Sequence, residues 1–161
     1  MEHTELHPST PQHVNPAAWT HAVRNAWQAE GHRITEPRLR LLDSIVRYAT
    51  PFSAEQLLAD MHHDGLAPGR ATIYRTLEQL HSAGWLARIH AQNGEAGYVT
   101  CFPGHMHHLV CTGCGAVIAF SGCALGPLLE QLAAQTSFAI DAHLLQLYGR
   151  CAECRARATH T

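Results

Sequence analysis

The sequence predicts an α+β chain in two parts. A tail over residues 1–15 precedes a winged helix-turn-helix over 16–100, and a small α/β unit with a four-cysteine zinc site follows over 101–161. Three observations predict this. Helical periodicity recurs four times before Gly84 and then gives way to two short β-type runs. The C-x-x-C pair Cys111 and Cys114 recurs as Cys151 and Cys154. Between the two parts, Cys101 to Cys114 gathers three cysteines and three histidines, all residue types that bind transition metals.

Composition narrows the function classes. At 161 residues the chain suffices for one ordinary domain or two small ones, and a small half gains from a metal staple where its core is thin. No apolar run approaches the roughly 20 residues that cross a bilayer. The N-terminus, MEHTELHPSTPQHVNP, lacks the basic start and apolar core of a secretory signal. A cytoplasmic location without a membrane partner is expected, and in that reducing compartment six cysteines favour metal over disulfides. Formal charge is −2, and all eleven basic residues are arginine: eight against ten acids up to Thr100, three against three after it. Attraction to DNA must therefore come from a local patch and from dimerisation. No Ser-His-Asp order, paired catalytic carboxylates or phosphate-binding glycine loop supports an enzyme, and no small organic substrate is implied.

Taken in order, the proline-rich tail with His3, His7 and His13 reads as solvated rather than as a metal scavenger. From Ala17 to Gly31, the residues Trp19, Val23, Ala26 and Trp27 fall at helical spacing, with Gly31 as a stop. Thr35, before Glu36 and Pro37, is an N-cap signal for a second helix with the stripe Leu39, Leu42, Ile45 and Val46, ending near Ala49. Ser53 to Gln56 matches a capping box for a third helix with Leu57, Leu58 and Met61 inward, and residues 64–69 break it. A fourth runs from about Arg70 to Ala83, with Ile73, Leu77 and Leu80 on one face and Thr72, Tyr74 and Arg75 outside it. A helix, a break and a short amphipathic helix of that kind is the pattern of a helix-turn-helix whose second member enters a major groove. Residues 85–90 and 98–100 then read as strands around a turn-rich loop, which completes a wing. The competing reading is a helical bundle in which Arg70 and Arg75 are merely solvated.

Beyond Cys101, residues 109–111 and 116–120 read as strands flanking the first C-x-x-C. Leu128, Leu129 and Leu132 mark a helix from Leu125 to Gln135, and residues 138–140 and 143–148 read as returning strands. A small sheet with a helix on one face follows, with one free edge where two chains can pair. Two C-x-x-C pairs offer four thiolates to one tetrahedral Zn2+, and their long separation ties the start of this unit to its end. A thiol oxidoreductase competes with that reading, because C-x-x-C is also a redox motif. Two matched pairs nevertheless exceed what redox cycling needs.

The fragments ITEPRLRLL (34–42), SAEQLL (53–58), RATIYRTLEQL (70–80), HHLVCTGCGAVIAF (107–120), LYG (147–149) and Cys151-Ala-Glu-Cys154 stand in a telling order and spacing. From about Gly31 to Arg155 the chain resembles the ferric uptake regulator family of metal-sensing bacterial repressors. The resemblance implies a winged-helix DNA-binding domain, a hinge near Cys101 and an α/β dimerisation domain. Metal would close the homodimer onto a palindromic AT-rich operator in double-stranded DNA. Tyr74 and Arg75 match recognition-helix positions. Tyr74 is suited to a thymine methyl, Arg70 or Arg75 to phosphate or guanine, Thr72 lies beside them, and Arg33 sits where the family has a basic residue near the minor groove. Packing of Tyr74 against the first helix is the alternative. Cys111, Cys114, Cys151 and Cys154 match the family's structural zinc ligands.

For metal sensing, the resemblance implies two further sites. His105, His107 and His143 match three ligands of one, whose fourth, a helical Glu in the family, is Gly126 here. Cys123 or Glu130, expected on the same helical face, would substitute. At the regulatory site by the hinge, Cys101 stands where the zinc-sensing branch places a thiolate, and His108 matches a second ligand. Met106, Ala119, Pro51 and Ala87 stand where branch members carry ligands, so His90 or His81 is expected to complete that shell. Thiolate with imidazole favours Zn2+ over Fe2+ or Mn2+. The expected function is a zinc-responsive repressor of zinc uptake genes with Cys101 as the coupling point. An iron, manganese or peroxide sensor of the same family, with Fe2+ or Mn2+ at the regulatory site, is the alternative.

Overall fold

The computed structural model describes residues 14–65, 68–90 and 96–158. His3, His7 and His13, the centre of the break before the fourth helix and most of the hairpin loop lie outside the described residues. Helix α1 (Pro16–Ala29) starts where Asn15 accepts the Ala18 N–H at 3.0 Å with Pro16 in the first turn, and it buries Trp19, Val23 and Trp27. Helix α2 (Glu36–Ile45) begins after Thr35, but the Thr35 side chain makes no capping hydrogen bond. It also stops short of Ala49: the Arg47 and Tyr48 N–H groups donate to Ser44 and Ile45, three residues back, so the last turn tightens and ends. Its buried stripe runs through Leu41, Leu42 and Ile45, with Leu39 only half-buried. At helix α3 (Ala54–His63) the expected cap is present, with Ser53 Oγ accepting the Gln56 N–H at 3.0 Å. Helix α4 (Arg70–Ser82) buries Ile73, Thr76, Leu77 and Leu80.

Strands β1 (Leu86–His90) and β2 (Ala96–Thr100) pair antiparallel from Leu86↔Thr100 to His90↔Ala96. That hairpin makes the first part a winged helix rather than a plain bundle. Phe52 fastens the wing to the helices: its N–H donates to the Tyr98 C=O and its C=O accepts the Tyr98 N–H, at 3.1 and 2.8 Å. One core unites the helices with β1, centred on Trp19, Trp27, Leu42, Leu57, Ile73 and Leu86.

The second part is a three-stranded sheet in the order β4-β3-β5. Strand β3 (His107–Cys111) pairs antiparallel with β4 (Val117–Phe120) and parallel with β5 (Gln146–Gly149). Helix α5 (Gly126–Thr136) buries no residue, and α6 (Ala152–Ala158), absent from the sequence-based expectation, follows β5. The strand expected over 138–140 does not form, and 143–145 are coil leading into β5. Phe138, Ile140 and Leu144 are exposed at 72%, 38% and 71%, so their apolar character belongs to an open surface rather than to a ladder. Both outer strands, not one, leave a side without a strand neighbour among the described residues. No helix among those residues is long and apolar enough to cross a membrane.

Candidate metal centres and nucleic-acid interface

Strands β3 and β5 run side by side in the same direction, so ligands near their starts meet at one end of the sheet and ligands near their finishes meet at the other. At the finish, Cys111 closes β3, Cys114 follows in the tight turn, Cys151 lies just beyond β5 and Cys154 stands on α6. Their four sulfurs lie within 4.8 Å of one another. Gly113 is required between the first pair, because a Cβ there would come within 2.9 Å of Cys154 Sγ. The Cys151 N–H donates to Cys111 Sγ at 3.3 Å, and with donors from Cys114 and Gly113 it draws the Cys111 thiol down to about 6. Neighbouring sulfurs, Cys151 foremost, push Cys154 up to about 12. A cluster that favours one thiolate and resists adding more is suited to a divalent cation, whose charge would remove the repulsion.

At the start of the same strands, His105, His107, Cys123 and His143 form a second group whose ligand atoms lie within 4.8 Å. The His105 ring centroid is 4.6 Å from those of His107 and His143, and Cys123 Sγ lies 3.2 Å from His143 Nε2. His107 is buried, and neither of its ring nitrogens has a hydrogen-bond partner. Burial, then the nearby His105 and His143, hold His107 below the ordinary histidine range, so the ring stays neutral and its lone pair free. Orphaned buried nitrogens beside a thiol and two more imidazoles fit a metal ion of borderline softness. Cys123 reaches this group from the coil before α5 rather than from a helical face, since α5 begins only at Gly126. Glu130 is exposed on α5 and stands outside the group.

The regulatory site expected at the hinge is not assembled in this geometry. Cys101 is 5% exposed, and its Sγ donates to the Gly84 C=O at 3.1 Å; burial pushes the thiol up to about 12. His108 faces a cavity of about 250 Å³ between Val46, Tyr48 and Val99 of the first part and Val117 and Ala119 of the second. Its Nε2 has no partner, and burial lowers its pKa. His90 is exposed, and its backbone is held by Gln146 and Tyr148. His81 stacks edge-on against Tyr98 with ring centroids 6.0 Å apart. No three of Cys101, His108, His90 and His81 bring ligand atoms together among the described residues.

On the helix-turn-helix, α4 carries Arg70, Thr72, Tyr74 and Arg75 on the side away from its buried stripe. Tyr74 is held by α3 rather than by α1: its hydroxyl donates to Glu55 Oε1 at 2.5 Å and accepts from Arg70 Nη2 at 3.2 Å. That hydrogen bond keeps Glu55 below the usual carboxylate range. Arg75 is exposed, with Nε donating to the Ala71 C=O at 3.1 Å. Arg33 is exposed just before α2, and its C=O accepts from Arg38, which lies over the Trp27 ring at 4.3 Å and also hydrogen-bonds Gln79 of α4. The periodicity reading passed over Arg38 and Glu55, since neither lies on an apolar stripe.

Residues 29–148 match the Ferric uptake regulator family. The Ferric uptake regulation protein of Neisseria gonorrhoeae is 36% identical over 128 residues, covering 79% of this chain and 89% of that protein. Its counterpart in Vibrio cholerae is 34% identical over 122 residues, covering 75% and 81%. Among solved structures, holo XcZur aligns over 86% of this chain and 98% of its own at 26% identity, with a TM-score of 0.69. A zinc uptake regulator complexed with zinc and DNA aligns over 91% and 99% with a TM-score of 0.70, at 24% identity a likeness of fold. With its winged helix and its sheet bearing two ligand groups, the chain belongs to the ferric uptake regulator family of metal-responsive DNA-binding regulators.

Proposed function

We propose that this chain is a zinc-responsive transcriptional repressor that grips a palindromic AT-rich operator as a homodimer in the cytoplasm and controls zinc uptake genes. The observation that carries this reading is the group of His105, His107, Cys123 and His143, three imidazoles and one thiol at one end of the sheet. Nitrogen with sulfur in a four-ligand set favours Zn2+, whereas Fe2+ and Mn2+ sites use more oxygen. The four-cysteine group at the other end would hold a structural zinc. Arg33, Arg70, Thr72, Tyr74 and Arg75 would meet DNA. Exposed Leu109, Leu128, Leu132 and Leu147 supply apolar surface for pairing.

The coupling is one of linkage. A bound ion would supply positive charge and a fixed tetrahedral geometry. His107 and His143 belong to the segments that enter β3 and β5, so drawing their ligand atoms together favours one setting of those strands. If that setting is the one that positions the wing for DNA, DNA must tighten metal binding by the same factor. On this reading sensing would rest at the strand starts, with Cys101, the expected coupling point, outside the assembled group. An iron-responsive regulator is the second reading, favoured by the name that the relatives carry, Ferric uptake regulation protein.

Anaerobic DNA titrations with Zn2+, Fe2+ and Mn2+ in parallel test the proposal, using a duplex that the zinc-loaded protein has selected from a random pool. Zinc is expected to raise affinity most, and Cys123→Ala to abolish that gain while the four-cysteine zinc stays bound. Equal affinity in every metal, or a zinc response intact in Cys123→Ala, would sink it.

A further inference from the structure

Gln146 and Tyr148 stand two positions apart on β5, so their side chains leave the same face of the strand. Both end on the backbone of His90, the last residue of wing strand β1. Gln146 Oε1 accepts the His90 N–H at 3.2 Å, and Gln146 Nε2 donates to the His90 C=O at 2.6 Å. The Tyr148 hydroxyl donates to that same C=O at 2.7 Å and accepts from Gln146 Nε2 at 2.8 Å. A primary amide presents the acceptor and donor that a neighbouring strand would present, so Gln146 closes the edge of the wing at this point.

The position of β5 gives this contact meaning. His143 precedes Gln146 by three residues and Cys151 follows Tyr148 by three, so the strand that holds the wing has a ligand of each metal group at either end. Within the sheet, Gln146 lies opposite His108, next to the ligand His107. Any shift of the His143 segment against β3 therefore moves Gln146 relative to His90. A slip of one residue would turn both side chains to the other face.

We infer that Gln146 and Tyr148 are the positioning residues that carry closure of the His105, His107, Cys123 and His143 group to the DNA-binding wing. The inference rests on the zinc-sensing reading above. Gln146 and Tyr148 are not ligands; they set where the wing stands when the ligands converge.

The test uses the full chain with Gln146→Leu, Tyr148→Phe and the double substitution. Tyr148→Phe removes only a hydroxyl and guards against misfolding. In the wild type, Zn2+ is expected to slow exchange of the His90 amide and to raise affinity for the selected duplex. The double variant is expected to bind the same number of zinc ions, to show fast His90 exchange with and without zinc, and to lose about tenfold or more of the zinc-dependent gain in DNA affinity. Tyr148→Phe alone should lose part of that gain. An unaltered zinc response in the double variant would overturn the link, as would an equal loss of DNA affinity with and without zinc, the mark of a merely structural role. A wild type whose DNA binding ignores zinc would instead sink the sensing reading, and the link would then stand or fall on whether zinc changes His90 exchange.

Discussion

Two tryptophans on one helix provide a quantitative test of how the DNA-binding head is held to the hinge. Trp19 and Trp27 both face the core from α1, at 0% and 1% exposure, but their indole N–H groups meet different fates. Trp19 Nε1 donates to the Trp85 C=O at 3.1 Å and to the Cys101 C=O at 2.9 Å, tying α1 to the end of the wing. Trp27 Nε1 is buried without a partner. Phenylalanine at either position removes a similar volume, so the cavity contribution largely cancels between them. Trp19→Phe leaves the Cys101 carbonyl unpaired, at a cost of about 1–3 kcal/mol, whereas the Trp85 carbonyl keeps the Cys101 N–H at 3.1 Å. Trp27→Phe relieves an unmade hydrogen bond of comparable cost and weakens the Arg38 contact over the ring by about 0.5–1 kcal/mol. Trp19→Phe is therefore expected to be the less stable variant by about 3 kcal/mol, or about 12 °C or more in melting temperature for a domain of this size. All three tryptophans lie in the winged-helix part, so intrinsic fluorescence during urea unfolding reads it selectively. Equal destabilisation by the two substitutions would refute the reasoning.

Three more outcomes are expected. Cys151→Ser should release the four-cysteine zinc and abolish cooperative unfolding of the sheet, since structural zinc typically contributes about 10 kcal/mol or more; an unchanged far-UV melt with zinc lost would contradict this. The buried Cys101 thiol keeps its proton up to about 12 while the unfolded thiol ionises near 9.0. The folded state thus holds the extra proton, and the stability it contributes is complete below about pH 9 and fades as pH rises toward 12. The melting-temperature gap between wild type and Cys101→Ala should accordingly narrow on raising the pH from about 8 to about 10.5, and a constant gap would count against it. Glu55→Gln removes an anion from beside Tyr74 and Arg70, so it should tighten DNA binding a few-fold at low salt and less at high salt, read by fluorescence anisotropy; weaker binding would mean that the carboxylate's hold on Tyr74 matters more than its charge.

Much of the fold was legible because it rests on local signals. Asn15 with Pro16, the Ser53 cap and the stripes of α1, α3 and α4 are properties of short stretches, and the paired C-x-x-C motifs announce a tetrahedral site without knowledge of the fold. Some misreadings are local, such as the uncapped Thr35 and the early end of α2, while others depend on partners distant in sequence. Phe138, Ile140 and Leu144 have the apolar character of strands, but no ladder among the described residues receives them. Cys123 lies in the coil before α5 rather than on its face, and local sequence does not distinguish it from Glu130, because only the fold brings that coil to His143. The hinge group of Cys101 and His108 is not assembled in this geometry: the Gly84 carbonyl takes the thiol while His108 turns into the cavity between the two parts. The contact of Gln146 and Tyr148 with His90 gave no sequence signal, although both lie in an expected strand, since contact with a backbone leaves no trace in the identity of the residue contacted.

X-ray absorption at the zinc edge tests the central claim most directly, as the difference between protein loaded with two and with one zinc per chain. The first ion should show sulfur alone, at about 2.3 Å. The second should show one sulfur at about that distance and three nitrogens at about 2.0–2.1 Å, with the sulfur lost in Cys123→Ala. A second ion surrounded by nitrogen and oxygen only, or one whose sulfur survives that substitution and disappears in Cys101→Ser, would contradict it and return the sensing site to the hinge.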